Sequence, residues 1–212
     1  RPGWYLAPRA GFRYTQYALD DAEGDDSPSR TLPILSFDAG MVFERSMESG
    51  DRMTLEPRLF YLYVPFEEQN QLPDFDTSEL TFGFSELFHT NRFSGADRQG
   101  DANQLSVAVT SRFTDADSGR QYLDLSIGQT YFFRDQRVQL NDQPTTDLAA
   151  SPFTAEANYR PLKNWSASAG LQWDPEETRA DLALLGINYE DDRGRRVQAG
   201  YRFRRDSVDQ FD

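Results

Sequence analysis

The chain has no cysteine, one histidine and one lysine among its 212 residues. Without cysteine, this stretch holds neither a disulfide framework nor a thiolate metal site. With His89 as the only histidine, in a long loop beside Phe88, a serine–histidine–acid hydrolase has nothing in its spacing to support it, and His89 reads as a loop-packing residue. No phosphate loop, zinc spacing or EF-hand occurs, so no cofactor and no metal are expected. Positive charge is scarce as well: 22 basic residues face 35 acidic ones, for a formal charge of −13. Nucleic acid needs a basic footprint and is excluded as a partner, as is docking on anionic lipid through a basic patch. No run of about 18 apolar residues exists, so no membrane-spanning helix is expected, and the start carries no basic-plus-apolar signal peptide.

What is present is alternation. Trp165, Ala167, Ala169, Leu171 and Trp173 are apolar, with Ser166, Ser168, Gly170 and Gln172 between them. The same beat runs through Leu105–Phe113 and through Val197–Phe203. Successive strand residues point to opposite faces, so each segment has one apolar and one polar face. Aromatics make up 14% of a chain that is only 38% hydrophobic. A membrane barrel explains both figures, because only alternate residues are apolar and the interfacial girdles consume Tyr, Trp and Phe. Of the basic residues only Lys163 is not arginine. The planar guanidinium suits paired sites in partly desolvated places, and a GC-rich genome gives the same bias.

The pattern predicts about nine strands, over 4–18, 33–46, 53–66, 103–114, 120–135, 152–161, 164–174, 179–190 and 195–206. The connections alternate by length. Met47–Arg52, Asp115–Gly119, Leu162–Lys163 and Asp191–Gly194 are short and carry turn residues. Leu19–Leu32, Glu67–Ala102, Val138–Ser151 and Pro175–Thr178 form the other class, three of them long and acidic. Short periplasmic turns alternating with long external loops is outer-membrane barrel topology, and a soluble meander has no reason to sort its loops by parity. The fold class is therefore all-β, an antiparallel transmembrane β-barrel segment. Residues 1–212 belong to one barrel domain with a long extracellular or lumenal loop at 67–102. An odd strand number, two open edges and a tail (DQFD) past the last strand mark an internal arc of a larger barrel.

The parity assigns faces. Trp4, Leu6, Pro8, Ala10, Phe12 and Tyr14 face lipid, as do Leu35, Phe37, Ala39, Met41 and Phe43. The opposite parity collects charges of both signs: Arg9, Arg13, Arg58, Arg112, Arg160 and Arg202 against Asp38, Glu44, Glu56, Asp124 and Glu156. A charge on the lipid face costs about 2–4 kcal/mol at the midplane, so these residues line the lumen. They form either a polar path or a structural ladder of cross-strand ion pairs. The segment Ala180–Ile187 is apolar on both parities, from a bulge or a covered lumen patch. The loop DDAEGDD (Asp20–Asp26) is acidic but lacks ordered ligand spacing.

The loop 67–102 holds Phe75, Phe82, Phe84, Phe88 and Phe93. Such residues do not sit bare in water, so the loop is expected to fold over the barrel mouth, or to carry an external protein partner. Arg92 and Arg98 are expected to tie it to lumen carboxylates, with Asp97 a local counter-charge.

A family resemblance enters at these residues. PR-x-x-YLYVP (Pro57–Pro65), NRFSG-x-DR (Asn91–Arg98) and ANQ-x-x-x-x-x-TSR (Ala102–Arg112), flanked by DAGMVFER (Asp38–Arg45) and LSIGQTYFF (Leu125–Phe133), resemble the lipopolysaccharide-assembly family LptD, also called OstA or Imp. The resemblance covers most of the chain and is weakest in the last third. It implies a protein that inserts lipopolysaccharide into the outer leaflet, with no bond made or broken. A periplasmic jelly roll would receive the lipid from the Lpt bridge, and a lateral gate and disulfide cysteines would lie outside this stretch. A plug lipoprotein of the LptE type would fill the barrel, touching the loop at Phe75, Phe82, Phe84, Phe88, Arg92, Phe93, Asp97 and Arg98. Outer-membrane lipids would surround the wall. The alternatives are a porin or gated solute transporter, then an outer-membrane hydrolase.

Overall fold

A computed structural model describes residues 3–19, 27–80, 83–140, 148–205 and 208–211. They form one antiparallel sheet of eleven strands: β1 Trp4–Gln16, β2 Ser29–Met41, β3 Phe43–Ser46, β4 Arg52–Val64, β5 Ala102–Thr114, β6 Gln121–Phe132, β7 Phe153–Leu162, β8 Trp165–Asp174, β9 Arg179–Glu190, β10 Arg196–Arg204 and β11 Val208–Phe211. Strands consecutive in sequence are neighbours in the sheet except at β3, which pairs only with β4 while β2 also pairs with β4, and the described sheet is open, with β1 and β11 at its edges. One 3₁₀ helix, Phe84–Phe88, lies in the loop between β4 and β5.

Nine of these strands are the predicted ones. The two extra have local causes. At Val42 the chain leaves the ladder, its N–H turning to Gly3 O at 2.5 Å, and this divides one predicted strand into β2 and β3. The tail expected beyond the last strand instead pairs Val208–Phe211 with β10. β2 also starts four residues early, at Ser29, because Arg13 to Gln16 extend its pairing with β1. The alternation of connection lengths holds from β1 to β8, and the 175–178 connection between β8 and β9 departs from it by being short. The short turns are closed by acids: Asp115 accepts from Ser118 N at 2.8 Å and Asp191 from Arg193 N and Arg195 N at 2.9 Å each. Gly119 and Gly194 complete them at φ 67° and 77°, where a side chain is strained.

The faces separate as the parity requires. Trp4, Leu6, Phe12, Leu35, Phe37, Leu55, Leu59, Leu125, Ile127, Leu171 and Ile187 are exposed on one face. On the other, Ser36, Ser106, Thr110 and Thr130 are buried beneath the long loop, and this is the inner face. There Ser106 lies opposite Thr130 with hydroxyls 2.8 Å apart, and Thr110 opposite Ser126 at 2.9 Å. Cross-strand hydroxyl pairs of this kind satisfy polar groups that lack water.

The ambiguous strand β9 has both suspected features. A bulge between Gln172 and Trp173 shifts its register, after which Leu185 and Ile187 point out while Leu182, 6% exposed, points in. On the outer face of β8, Trp165 lies opposite Tyr189, ring centres 4.9 Å apart, and Trp173 lies opposite Phe153. These aromatic pairs bracket a purely aliphatic stretch, Ala167–Ala169–Leu171.

Candidate functional site: the loop-covered inner face

The inner-face charges are mostly paired. Arg58 grips Asp38 through Nε at 2.9 Å and a terminal nitrogen at 2.6 Å. Arg112 pairs with Glu56, and Arg160 with Asp124 at 3.6 Å. Each pair is diagonal: Arg58 lies opposite Gly40, Arg112 opposite Thr54, and Asp124 opposite Asn158. Arg112 also lies directly opposite Asp124, which joins two of the pairs in register. Six of the residues expected to line the lumen, Asp38, Glu56, Arg58, Arg112, Asp124 and Arg160, thus form ion pairs rather than a row of free charges. Arg9, Glu44 and Arg202 are exposed and stand outside these pairs.

Toward the long-loop end the inner face turns apolar. Phe60, Leu62 and Val64 on β4, with Ile34 and Ala102, make a cluster on which Phe88 packs. The 3₁₀ helix is seated at three points. Phe88 lies edge-on to Phe60 at 6.1 Å and beneath the Arg58 guanidinium at 3.7 Å. Leu87 is fully buried over Gly128, where a Cβ would stand 2.6 Å from Leu87 Cδ1 and 2.9 Å from Ala108 Cβ. Phe84 N–H donates to Glu156 Oε1 at 3.0 Å. Glu156 therefore anchors the loop rather than lining an open path. The loop thus packs against the inner face, and within it Glu86 Oε2 and His89 Nδ1 lie 2.8 Å apart.

The polar ties run opposite to expectation. Arginines of the strands reach loop carbonyls. Arg30, 1% exposed, donates to Asp97 O at 2.7 Å, to Ala96 O at 3.1 Å and to Gln69 Oε1. Arg13 donates to Gly95 O at 2.9 Å and Gln99 Oε1 at 3.1 Å. Arg98 binds within its own loop, to Pro73 O at 2.8 Å and Leu72 O at 3.0 Å, not to a lumen carboxylate. Arg92 reaches Val138 O and lies 3.9 Å from Asp101. Carbonyl oxygens are the better partners here because an irregular loop leaves many of them unpaired where water is excluded. Arg30, Gln69 and Gln99 gave no local signal in the sequence, since the bonds that join them to one another and to Asp97 and Arg13 span 30 to 86 residues.

Asp97 accepts from Phe75 N at 2.7 Å, Asp76 N at 3.3 Å and Tyr17 OH at 3.1 Å. Burial alone would raise its pKa, but these donors outweigh it and hold the carboxyl below its usual range. The same hydrogen bond, with burial the larger cause, raises the Tyr17 phenol. Burial lowers the Arg92 guanidinium, against the pull of Asp101 and Glu79.

Asp101 joins two loops. It is 3% exposed and accepts from Arg137 N at 3.0 Å and Val138 N at 2.9 Å, while Arg137 covers the Phe66 ring at 3.6 Å. Of the loop residues expected to touch the plug, Phe93, Asp97 and Arg98 are buried in their own chain, and Phe84 and Phe88 are half-buried. Phe75 is 73% exposed. Phe82 and the acidic loop Asp20–Asp26 lie outside the described residues. Among the described residues, no group of three or more His, Cys, Asp or Glu side chains is arranged to hold a metal.

A sheet with an aliphatic outer face bracketed by aromatics, a charge-paired inner face and an inward-folded loop defines an arc of a transmembrane β-barrel wall. The family model LptD, LPS transport system D, matches residues 1–211, and the chain belongs to that family of outer-membrane proteins of Gram-negative bacteria. It is 46% identical to the LPS-assembly protein LptD of Nitrosococcus oceani, over 99% of the chain and 29% of that protein. It is 42% identical to that of Xanthomonas oryzae, over 99% of the chain and 28% of the relative, and 40% identical to that of Xylella fastidiosa, over 97% and 27%. The chain therefore spans less than a third of the relatives it matches.

Proposed function

We propose that the protein containing this chain assembles lipopolysaccharide at the outer membrane, and that this segment supplies wall, lumen lining and an inward loop that meets a plug lipoprotein of the LptE type. The apolar outer face holds the wall among membrane lipids. The inner face, its charges neutralised pairwise, offers a polar surface past which sugar and phosphate groups slide without being captured by one fixed charge. The missing parts of the larger protein would receive the lipid from the periplasmic Lpt bridge. Chemistry at covalent bonds is not part of this reading.

The observation that carries it is the docked loop, which Arg13 and Arg30 of the wall hold by its carbonyls and which leaves Phe75 projecting, 73% exposed. Tyr17 covers part of one side of that ring, with centres 6.3 Å apart. Burying a phenylalanine is worth about 1.5–3 kcal/mol, which makes Phe75 the natural contact for a partner in the lumen. A solute porin would instead present a charged constriction. The test replaces Phe75 with Asp in the full-length protein and measures co-purification of the plug together with lipopolysaccharide at the cell surface. Plug recovery should fall. If recovery and surface display are both unchanged, the loop does not meet the plug.

A further inference from the structure

The two tied loops and the inner wall enclose a cavity of about 240 Å³ at the long-loop end. Its lining is partly apolar, from Leu62, Phe132, Leu148 and Pro152. It also carries Glu79, Glu86, Gln104 and Gln136, with Gln104 standing between Leu62 and Phe132 on the wall. The side-chain amides of Gln104 and Gln136 make no hydrogen bond among the described residues, and Glu86 Oε2 is enclosed with only His89 Nδ1 beside it, at 2.8 Å. Unspent donors and acceptors set among apolar side chains suit a ligand that offers both C–H surface and hydroxyls. The space is well beyond that of a void holding one buried water and admits one sugar ring.

Charge narrows the class. Glu79, Glu86 and Asp101 contribute three carboxylates, against Arg92, whose guanidinium is already committed to Val138 O and Asp101. A phosphate or acidic sugar entering here meets like charge with no free cation to offset it. A neutral sugar meets acceptors for its hydroxyls.

We propose that this cavity is a subsite for a neutral sugar residue of the polysaccharide, a reading that rests on the proposed function. The site lies where the long loops meet the outer surface, so it would hold the glycan as it emerges and leave the phosphorylated part to the paired wall below.

The experiment places a photo-crosslinking residue at Gln136 of the full-length protein, in cells with its native partners. A second probe at Ser168, on the inner wall of β8 away from the loop, reports passage of the lipid itself. Two strains are compared, one making the complete polysaccharide and one whose lipopolysaccharide stops before the neutral sugars. The Gln136 probe should capture lipopolysaccharide in the first strain and about tenfold less in the second, while Ser168 captures it in both. Adding Gln104→Leu should weaken the Gln136 adduct in the complete strain and leave the Ser168 adduct unchanged. Equal capture at Gln136 in both strains overturns the subsite, as does an adduct to a protein partner instead of glycan. So does a Ser168 adduct without one at Gln136, which leaves the proposed function standing. No adduct at either position overturns both.

Discussion

The seat of Leu87 on Gly128 is the sharpest test of how the loop is held. Leu87 is fully buried, and truncating such a leucine to Ala costs about 2–5 kcal/mol. A Cβ on Gly128 would stand 2.6 Å from Leu87 Cδ1, and 2.9 Å from both Ala108 Cβ and Val107 O. The last two belong to the neighbouring strand and are fixed, so the loop is what must yield. Overpacking of this kind costs about 1–3 kcal/mol. Gly128→Ala should therefore loosen the 3₁₀ helix, and should do so less when Leu87 is already Ala, because the nearest obstacle is gone. The coupling should reach at least about 1 kcal/mol, or roughly fivefold in exchange rate. Hydrogen exchange at the Phe84 amide, bonded to Glu156, and at the Glu86 amide, bonded to Gly83 O, reads the opening directly. If the two substitutions add to within about 0.3–0.5 kcal/mol, Leu87 does not occupy that seat and the docking scheme is wrong.

Other expectations follow from the same geometry. Replacing Arg30 with Leu strands Asp97 O, Ala96 O and Gln69, each lost partner costing about 1–3 kcal/mol, so limited proteolysis should cut between residues 65 and 101; resistance equal to the unsubstituted protein would refute the role of Arg30. Because the Asp97 carboxyl is held below its usual range, its contribution is complete above about pH 4 and disappears as pH falls below that. Loop protection should drop in that acid window and Asp97→Asn should flatten the profile, whereas identical profiles would discount the carboxylate. Leu171→Arg places a charge on the outer face and should cost about 2–4 kcal/mol, while Gln172→Arg faces inward and should assemble normally; equal assembly yields would undo the face assignment.

Much of this wall was legible because membrane sheets write their two faces into alternate residues. Trp165 to Trp173 showed both faces and both ends of β8, and the sorting of connection lengths gave the topology. Charges confined to one parity located the inner face and its ladder. What escaped were features set by distant partners. Phe60, Leu62 and Val64 break the polar inner pattern, and only the loop packed on them explains why. Glu156 read as wall, yet its acceptor is used by Phe84, 72 residues away. The strand break at Val42 depends on a carbonyl of Gly3, and no local turn residue announces it. Arg92 and Arg98 were read as ties to lumen carboxylates, but carbonyls compete with carboxylates as partners and win at both, within its own loop for Arg98 and at Val138 O for Arg92.

The aromatic pairs on β8 set a ruler against the bilayer. Trp165 and Trp173 are separated by eight residues of strand, about 26 Å at roughly 3.3 Å per residue. Tilted by about 40°, as barrel strands are, that length projects to about 20 Å along the membrane normal. The bacterial outer membrane is thinner than average, and this wall is cut to match it. In a thicker host membrane the aromatic rings at one end would be drawn below the headgroups, and the lipid would have to thin around the protein or the barrel lean further. Reconstitution of the full-length protein should accordingly succeed best in short-chain lipids, so that the spacing of four aromatic residues decides which membranes accept the barrel.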